Sequence, residues 1–200
     1  MNRIAAFALV LLLAPVPPGH AAAIIGKPAP PIELSDADGK TVRLESFKGK
    51  TVVLEWVNFQ CPFVGKHYGS GNMQALQKKY TEAGVVWLSI CSSASGKQGY
   101  VTGPQAREAM KERGAAPTRF LLDPKGAVGK AYGAKTTPHM FVIDPKGTVV
   151  YNGAIDDKPS TDRADIPKAK NHLAAALDAS LAGKPVETAA TQPYGCSVKY

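Results

Sequence analysis

Residues 51–68 read TVVLEWVNFQCPFVGKHY, and the change of pattern inside this stretch decides the fold. Thr51–Val57 is dense in β-branched residues and reads as a buried strand. Cys61-Pro62 then opens a helix, because proline is favoured at the first helical position. Cys61 therefore sits at the N-cap, facing unpaired backbone N–H groups and the positive end of the helix dipole. Both favour a thiolate over a thiol, so Cys61 is expected to titrate below an ordinary cysteine.

Outward from this junction the chain alternates strands and helices. Before it, Ile24–Leu34 is proline-rich and extended, Ser35–Gly39 is a turn, and Lys40–Leu44 is a short strand. After it, Gly65, Gly69 and Gly71 predict a helix break near Gly69–Gly71. Asn72 is then expected to cap a helix whose Met73, Leu76 and Tyr80 share one face. Val85–Cys91 is the next buried strand. Ser92–Thr102 is a loop, Pro104–Arg113 a helix, Arg119–Leu122 a strand and Val128–Tyr132 a short helix. Pro138–Asp144 and Thr148–Asn152 form a hairpin about the second of two Asp-Pro-Lys-Gly turns. Lys168–Leu181 is an alanine-rich helix, and Val186–Tyr200 has no period and reads as an extended, mobile arm. Strands separated by helices imply an α/β fold, with parallel pairing, helices on both faces and an antiparallel edge from the hairpin.

With 200 residues the chain suffices for one domain with a proper core. Residues 1–23 read as a secretory signal peptide. Arg3 supplies a positive charge, Ile4–Ala14 an apolar run too short to span a membrane, and Ala21–Ala23 a small-residue cleavage site. The expected organisation is that leader, a domain over residues 24–185, and a tail over 186–200 carrying Cys196. The expected location is secreted and periplasmic. Without Arg3 the formal charge is +7, from 23 basic and 16 acidic residues. These charges are scattered with no basic run, so no nucleic-acid partner is expected. The cysteines are Cys61, Cys91 and Cys196. Three is odd, and too few for a disulfide-stapled scaffold, so chemistry is the better explanation of them.

Three features carry a family resemblance. Cys61 stands at a strand-to-helix junction, Thr137-Pro138 directly precedes the strand HMFVID, and Glu55 lies six residues before Cys61. Together they resemble the thioredoxin-like superfamily and, within it, the peroxiredoxin-like redoxins, over residues 26–183. The resemblance implies a thioredoxin-like fold: a central mixed β-sheet flanked by helices, with an N-terminal β extension and a C-terminal tail. It implies that Pro138 is a cis-proline facing Cys61, and that Glu55 is a buried carboxylate that shuttles protons. Val64 stands at the second cysteine position of C-x-x-C, so Cys61 has no local partner, and the peroxiredoxin pattern P-x-x-x-T-x-x-C is absent. The chain is most similar to a subgroup that lacks the peroxiredoxin catalytic triad and carries C-P-F-V-x-K-H-Y with a late G-C-x-V-K-Y.

The expected activity is thiol–disulfide exchange. Cys61 attacks a protein or small-molecule disulfide, the Thr137 backbone beside Pro138 aligns the substrate chain, and Glu55 manages the protons. Cys196 is the expected resolving partner, brought to Cys61 by the arm. Cys91 ends a core strand and is expected to be a structural thiol, although parallel strands ending on one side keep it as the other candidate. A redox partner re-reduces the disulfide, and no organic cofactor is implied. An imidazolium at His67 or His139 would stabilise the thiolate. Lys66 would be solvated or part of an electropositive rim, and Phe63 packing or a groove wall. Three alternatives stand beside this one. They are a thiol peroxidase with antioxidant activity, a copper or zinc module using Cys61, His67, His139 and Cys196, and a non-catalytic domain stapled by Cys61–Cys196.

Overall fold

The computed structural model describes residues 23–200, so the expected leader lies, Ala23 apart, outside the described residues. In chain order the strands are β1 (Glu33–Asp36), β2 (Thr41–Arg43), β3 (Val52–Trp56), β4 (Val86–Cys91), β5 (Arg119–Leu122), β6 (Thr136–Thr137), β7 (His139–Ile143), β8 (Val149–Gly153) and β9 (Cys196–Ser197). The helices are α1 (Pro62–Gly69), α2 (Asn72–Glu82), α3 (Gly103–Arg113), α4 (Ala127–Tyr132) and α5 (His172–Leu181). Seven strands form one mixed sheet in the order β2-β1-β5-β4-β3-β7-β8. β5, β4 and β3 run parallel, as expected of strands joined through helices. β7 runs antiparallel to β3, and β8 to β7. The hairpin therefore joins the sheet beside its centre, and the architecture is the thioredoxin-like mixed sheet that the resemblance implied.

Every residue of β3 is buried, so its alternation feeds two cores. Val53 joins Trp87, Met140 and Tyr151 beneath Met73, Leu76 and Tyr80 of α2 and Leu173 and Leu177 of α5. Val52, Leu54 and Trp56 join Leu88, Ile90 and Phe141 on the other face, where α4 adds Val128 and Tyr132. There the Trp56, Tyr132 and Phe141 rings pack with centroids 5.3–5.4 Å apart. Each such buried side chain contributes about 1.5–3 kcal/mol.

Three local expectations shift. Residues 33–36, expected to end an extended piece and begin a turn, form the strand β1 between β2 and β5. The α2 cap is Gly71, with φ at 77°, and not Asn72. Asn72 instead turns its amide to His67, donating to Nδ1 at 2.8 Å. The last helix begins at His172, four residues late. The Asn171 carboxamide oxygen caps it by accepting from Ala174 N–H, and Arg163–Lys168 forms a separate 3-10 turn. Among the described residues no helix is long and apolar enough to cross a membrane.

Candidate active site

The end of β3 delivers the chain through a turn, Asn58–Cys61, closed by Cys61 N–H donating to the Asn58 carbonyl at 2.9 Å. Pro62 is the first residue of α1 and Cys61 its N-cap, with extended φ and ψ of −83° and 126°. The register of the next strand brings up the opposing wall. Trp56 at the end of β3 pairs with His139 at the start of β7, which sets Thr137-Pro138 beside the same sheet end as Cys61. That peptide bond is cis. The Thr137 carbonyl lies 3.0 Å from Cys61 Sγ and accepts its S–H in the neutral state.

The third wall is the tail, and here the expected mobile arm gives way to a docked strap. Asn152 N–H donates to the Ala189 carbonyl at 3.0 Å, and the Thr191 hydroxyl accepts from Ala154 N–H at 2.8 Å. β9 then pairs antiparallel with β6, in the register Thr137 to Cys196 and Thr136 to Ser197. Beyond it, Val198 N–H bonds the Lys135 carbonyl at 3.1 Å, and the Tyr200 hydroxyl donates to the Ala134 carbonyl at 2.8 Å. Sequence periodicity missed all this because each hydrogen bond joins the tail to a distant part of the chain. The strap carries Cys196 to Cys61, and the two sulfurs, both free thiols, share a hydrogen bond at 2.8 Å. Gly195 permits the approach. Its φ is +140°, and a Cβ there would overlap the Thr137 carbonyl.

These neighbours divide the two thiols. Burial alone would push the Cys61 thiol up. The Cys196 thiol, the backbone N–H groups of Val64 and Cys196, and the Thr137 hydroxyl outweigh it and hold Cys61 below the ordinary cysteine value. Val64 N–H acts as a dipole here, since Cys61 Sγ does not meet the geometry of a side-chain capping bond. The Thr137 hydroxyl is buried and has no conventional hydrogen-bond partner, which leaves it available to the sulfur anion. Cys196 is pushed up to about 11, by burial and then by the hydrogen bond and charge of Cys61. The proton of the ionised pair therefore resides on Cys196.

Glu55 is fully buried and surrounded by donors. Its oxygens accept from the Tyr68 hydroxyl at 2.9 Å, Trp87 Nε1–H at 2.8 Å, the Ser89 hydroxyl at 2.7 Å and the Gln77 amide at 3.3 Å. Burial raises it above the usual carboxylate range, with these four bonds pulling against it. Among the described residues no hydrogen bond joins it to either sulfur; Tyr68 of α1 is its link toward the site. Cys91 is buried, donates to the Gly99 carbonyl at 3.3 Å, and is raised chiefly by burial.

The expected imidazolium support is corrected. Burial drives both His67 and His139 down to about 4, so both are neutral near pH 7. His139 accepts Lys135 N–H at Nδ1 (3.2 Å) and faces the Asn152 carboxamide oxygen at Nε2 (2.7 Å). His67 holds Asn72 at Nδ1 and the Tyr194 hydroxyl at Nε2, 3.3 Å away. With every ring nitrogen engaged, Cys61, His67, His139 and Cys196 are not gathered as a metal set. No cluster of three metal-ligating residues occurs among the described residues. Lys66 is no rim cation either. It is buried, donating to the Lys158 carbonyl at 2.7 Å and facing Asp156 at 3.5 Å. Asp156 also accepts the Tyr194 hydroxyl. Sequence reasoning missed Asp156 and Tyr194, since nothing local marks a pair 38 residues apart.

The Redoxin family model matches residues 24–173. No curated protein matches the chain. Among solved structures, an uncharacterized conserved protein from Geobacillus kaustophilus is similar at 32% identity and a TM-score of 0.77, covering 89% of this chain and 93% of that one. A hypothetical protein from Sinorhizobium meliloti 1021 is similar at 27% identity and a TM-score of 0.74, covering 88% and 94%. A thiol:disulfide interchange protein DsbE from Chlorobium tepidum is similar at 26% identity and a TM-score of 0.52, covering 66% and 85%. With its central mixed sheet and a matched span running from the first described residues into α5, this chain belongs to the Redoxin family and has the thioredoxin-like fold.

Proposed function

We propose that this Redoxin-family oxidoreductase carries out thiol–disulfide exchange, with Cys61 as nucleophile and Cys196 as resolving thiol. The observation that carries the reading is the pair itself: two sulfurs 2.8 Å apart, one held below the ordinary cysteine value and the other above it. The Cys61 thiolate attacks a substrate disulfide, the S–S bond breaks, and one substrate sulfur leaves as a thiolate. Once Cys61 is tied into the mixed disulfide it carries no charge. Of the influences that raise Cys196, its charge and hydrogen bond then vanish, leaving burial. Cys196 becomes easier to ionise at the step that needs it. It attacks the Cys61 sulfur, the second substrate thiolate leaves, and a Cys61–Cys196 disulfide remains for a dithiol partner to reduce.

Glu55 is the proton-holding group in this scheme, buried behind the sheet end and linked to α1 through Tyr68. Thr137 beside Pro138 supplies the backbone edge along which a substrate chain aligns. The charged, apolar and small-residue sequence of residues 1–23 supports an extracytoplasmic location, and immunoblotting of periplasmic and cytoplasmic fractions tests it.

The deciding experiment is trapping. Cys196→Ser protein incubated with a peptide disulfide should accumulate a Cys61–peptide mixed disulfide by mass spectrometry, while the unaltered protein passes on to Cys61–Cys196. Accumulation in neither would reject the scheme. A Cys61–Cys196 potential below about −300 mV would instead mark a permanent staple.

A further inference from the structure

Cys61 is only 1% exposed when the strap is docked. A substrate sulfur therefore cannot reach it past Cys196; it must enter where Cys196 lies. β6 is two residues long, and among the described residues its strand partner is β9. Any chain that aligns on Thr137 must replace the strap. The strap occupies the site as a bound peptide would, and its contacts describe what the site accepts.

Two residues before Cys196, Tyr194 enters a socket under α1. Its hydroxyl donates to the buried Asp156 carboxylate and faces His67 Nε2 at 3.3 Å. Asn72 donates to Nδ1 of the neutral ring, so Nε2 carries the hydrogen and donates to the phenol oxygen. The socket thus offers one acceptor and one donor to a single hydroxyl. Its walls read a ring: Phe63 meets Tyr194 edge-on at 5.9 Å between centroids, and Lys66 Nζ stands 5.6 Å from the Tyr194 centroid. Lys66, His67 and Asp156 are buried groups, and none is needed by the sulfur chemistry. When the strap lifts, the buried Lys66–Asp156 pair is uncovered, and an incoming phenol restores its cover.

We propose that this socket is a substrate subsite, and that the preferred substrates are extended peptide segments with tyrosine two residues before the reacting cysteine and glycine directly before it. The strap is a built-in copy of that substrate. Its return displaces the product from the edge, the socket and the Cys61 sulfur in one movement. The inference rests on thiol–disulfide exchange at Cys61 and adds the substrate class.

The test uses the full chain carrying Cys196→Ser and Tyr194→Ala, which keeps Cys61 and vacates the socket. Peptides of sequence Gln-Pro-X-Gly-Cys-Ser, with X as Tyr, Phe or Ala, carry thionitrobenzoate on the cysteine. Attack by Cys61 forms the Cys61–peptide disulfide, breaks the reagent's S–S bond and releases thionitrobenzoate as a coloured thiolate. The Tyr peptide should react about tenfold faster than the Ala peptide, the scale of one hydrogen bond to a charged group, with Phe between them. With Tyr194 retained, both should slow and the ratio shrink. The milder Tyr194→Phe variant, which keeps the ring in place, should give an intermediate ratio. Adding Asp156→Asn should remove the preference for Tyr over Phe. Equal rates for the Tyr and Ala peptides with the socket vacated would overturn the subsite while leaving exchange intact. No release from any peptide would overturn the exchange reading, and the subsite with it.

Discussion

Cys61 and Cys91 belong to the same core cluster, the first just beyond the end of β3 and the second closing the adjacent parallel strand β4. One thiol is held low and the other high. Burial is the largest influence on both and pushes both up, but the donors outweigh it only at Cys61. The difference lies in where the chain goes next. After Cys61 it turns into α1, presenting N–H groups, and the strap and Thr137 add further donors. After Cys91 it turns into an irregular loop, where burial outweighs the Ser93 and Val101 donors that pull the thiol down, and Asp123 adds to the rise. A cysteine at a strand end is made reactive where the donors that converge on it outweigh its burial, and stays inert where burial wins.

The harshest way to break this comparison is to remove the nucleophile. Cys61→Ser should lower the rate of peptide-disulfide exchange more than about a thousandfold, whereas Cys91→Ser should leave it nearly unchanged. Comparable losses in both, in a stopped-flow assay, would erase the distinction.

Acid should act next most strongly, and on stability. His67 and His139 fall to about 4 in the fold, against an ordinary value of about 6.5. Between these values the unfolded chain binds protons that the folded chain refuses. Stability is therefore complete above pH 6.5 and declines as pH falls toward 4, by up to about 3 kcal/mol for each ring. Urea melts across this window measure it. Iodoacetamide labelling of Cys61 relative to Cys91 should show no step near pH 6.5. A step there would mean that a histidine cation, rather than neutral donors, separates the thiols.

Cys196→Ala sharpens the comparison from the other side. It deletes the largest single contact that lowers Cys61. The pH midpoint of Cys61 alkylation should rise toward the free-cysteine value of about 8.5. An unmoved midpoint would leave the Val64 and Cys196 N–H groups and the Thr137 hydroxyl as the cause. The smallest effect belongs to Cys91→Ala, expected to cost about 1 kcal/mol in denaturant melts and less than twofold in exchange.

What could be read from the sequence was local or strongly patterned. Cys61-Pro62 announces a helix tip because proline fits the first helical position, and the β-branched run before it can hardly be anything but a core strand. Thr137-Pro138 was visible as two adjacent residues before an apolar run. What escaped depends on distance along the chain. Lys66 looks like a surface cation until Asp156 and the Lys158 carbonyl are brought against it. The histidines look ionisable until burial is known. The tail looks like a mobile arm because strand pairing over two residues leaves no periodic trace. β1 was hidden by the prolines ahead of it, although its pairing with β5 extends the sheet.

Gly195 has a further consequence. Where two chain segments meet with no side chain between them, the gap between their reactive atoms is set by the main chain. Laying the strap along β6 brings Cys196 to its target. A single added methyl at position 195 would hold the segments apart, and the chain would keep both cysteines while losing their conversation.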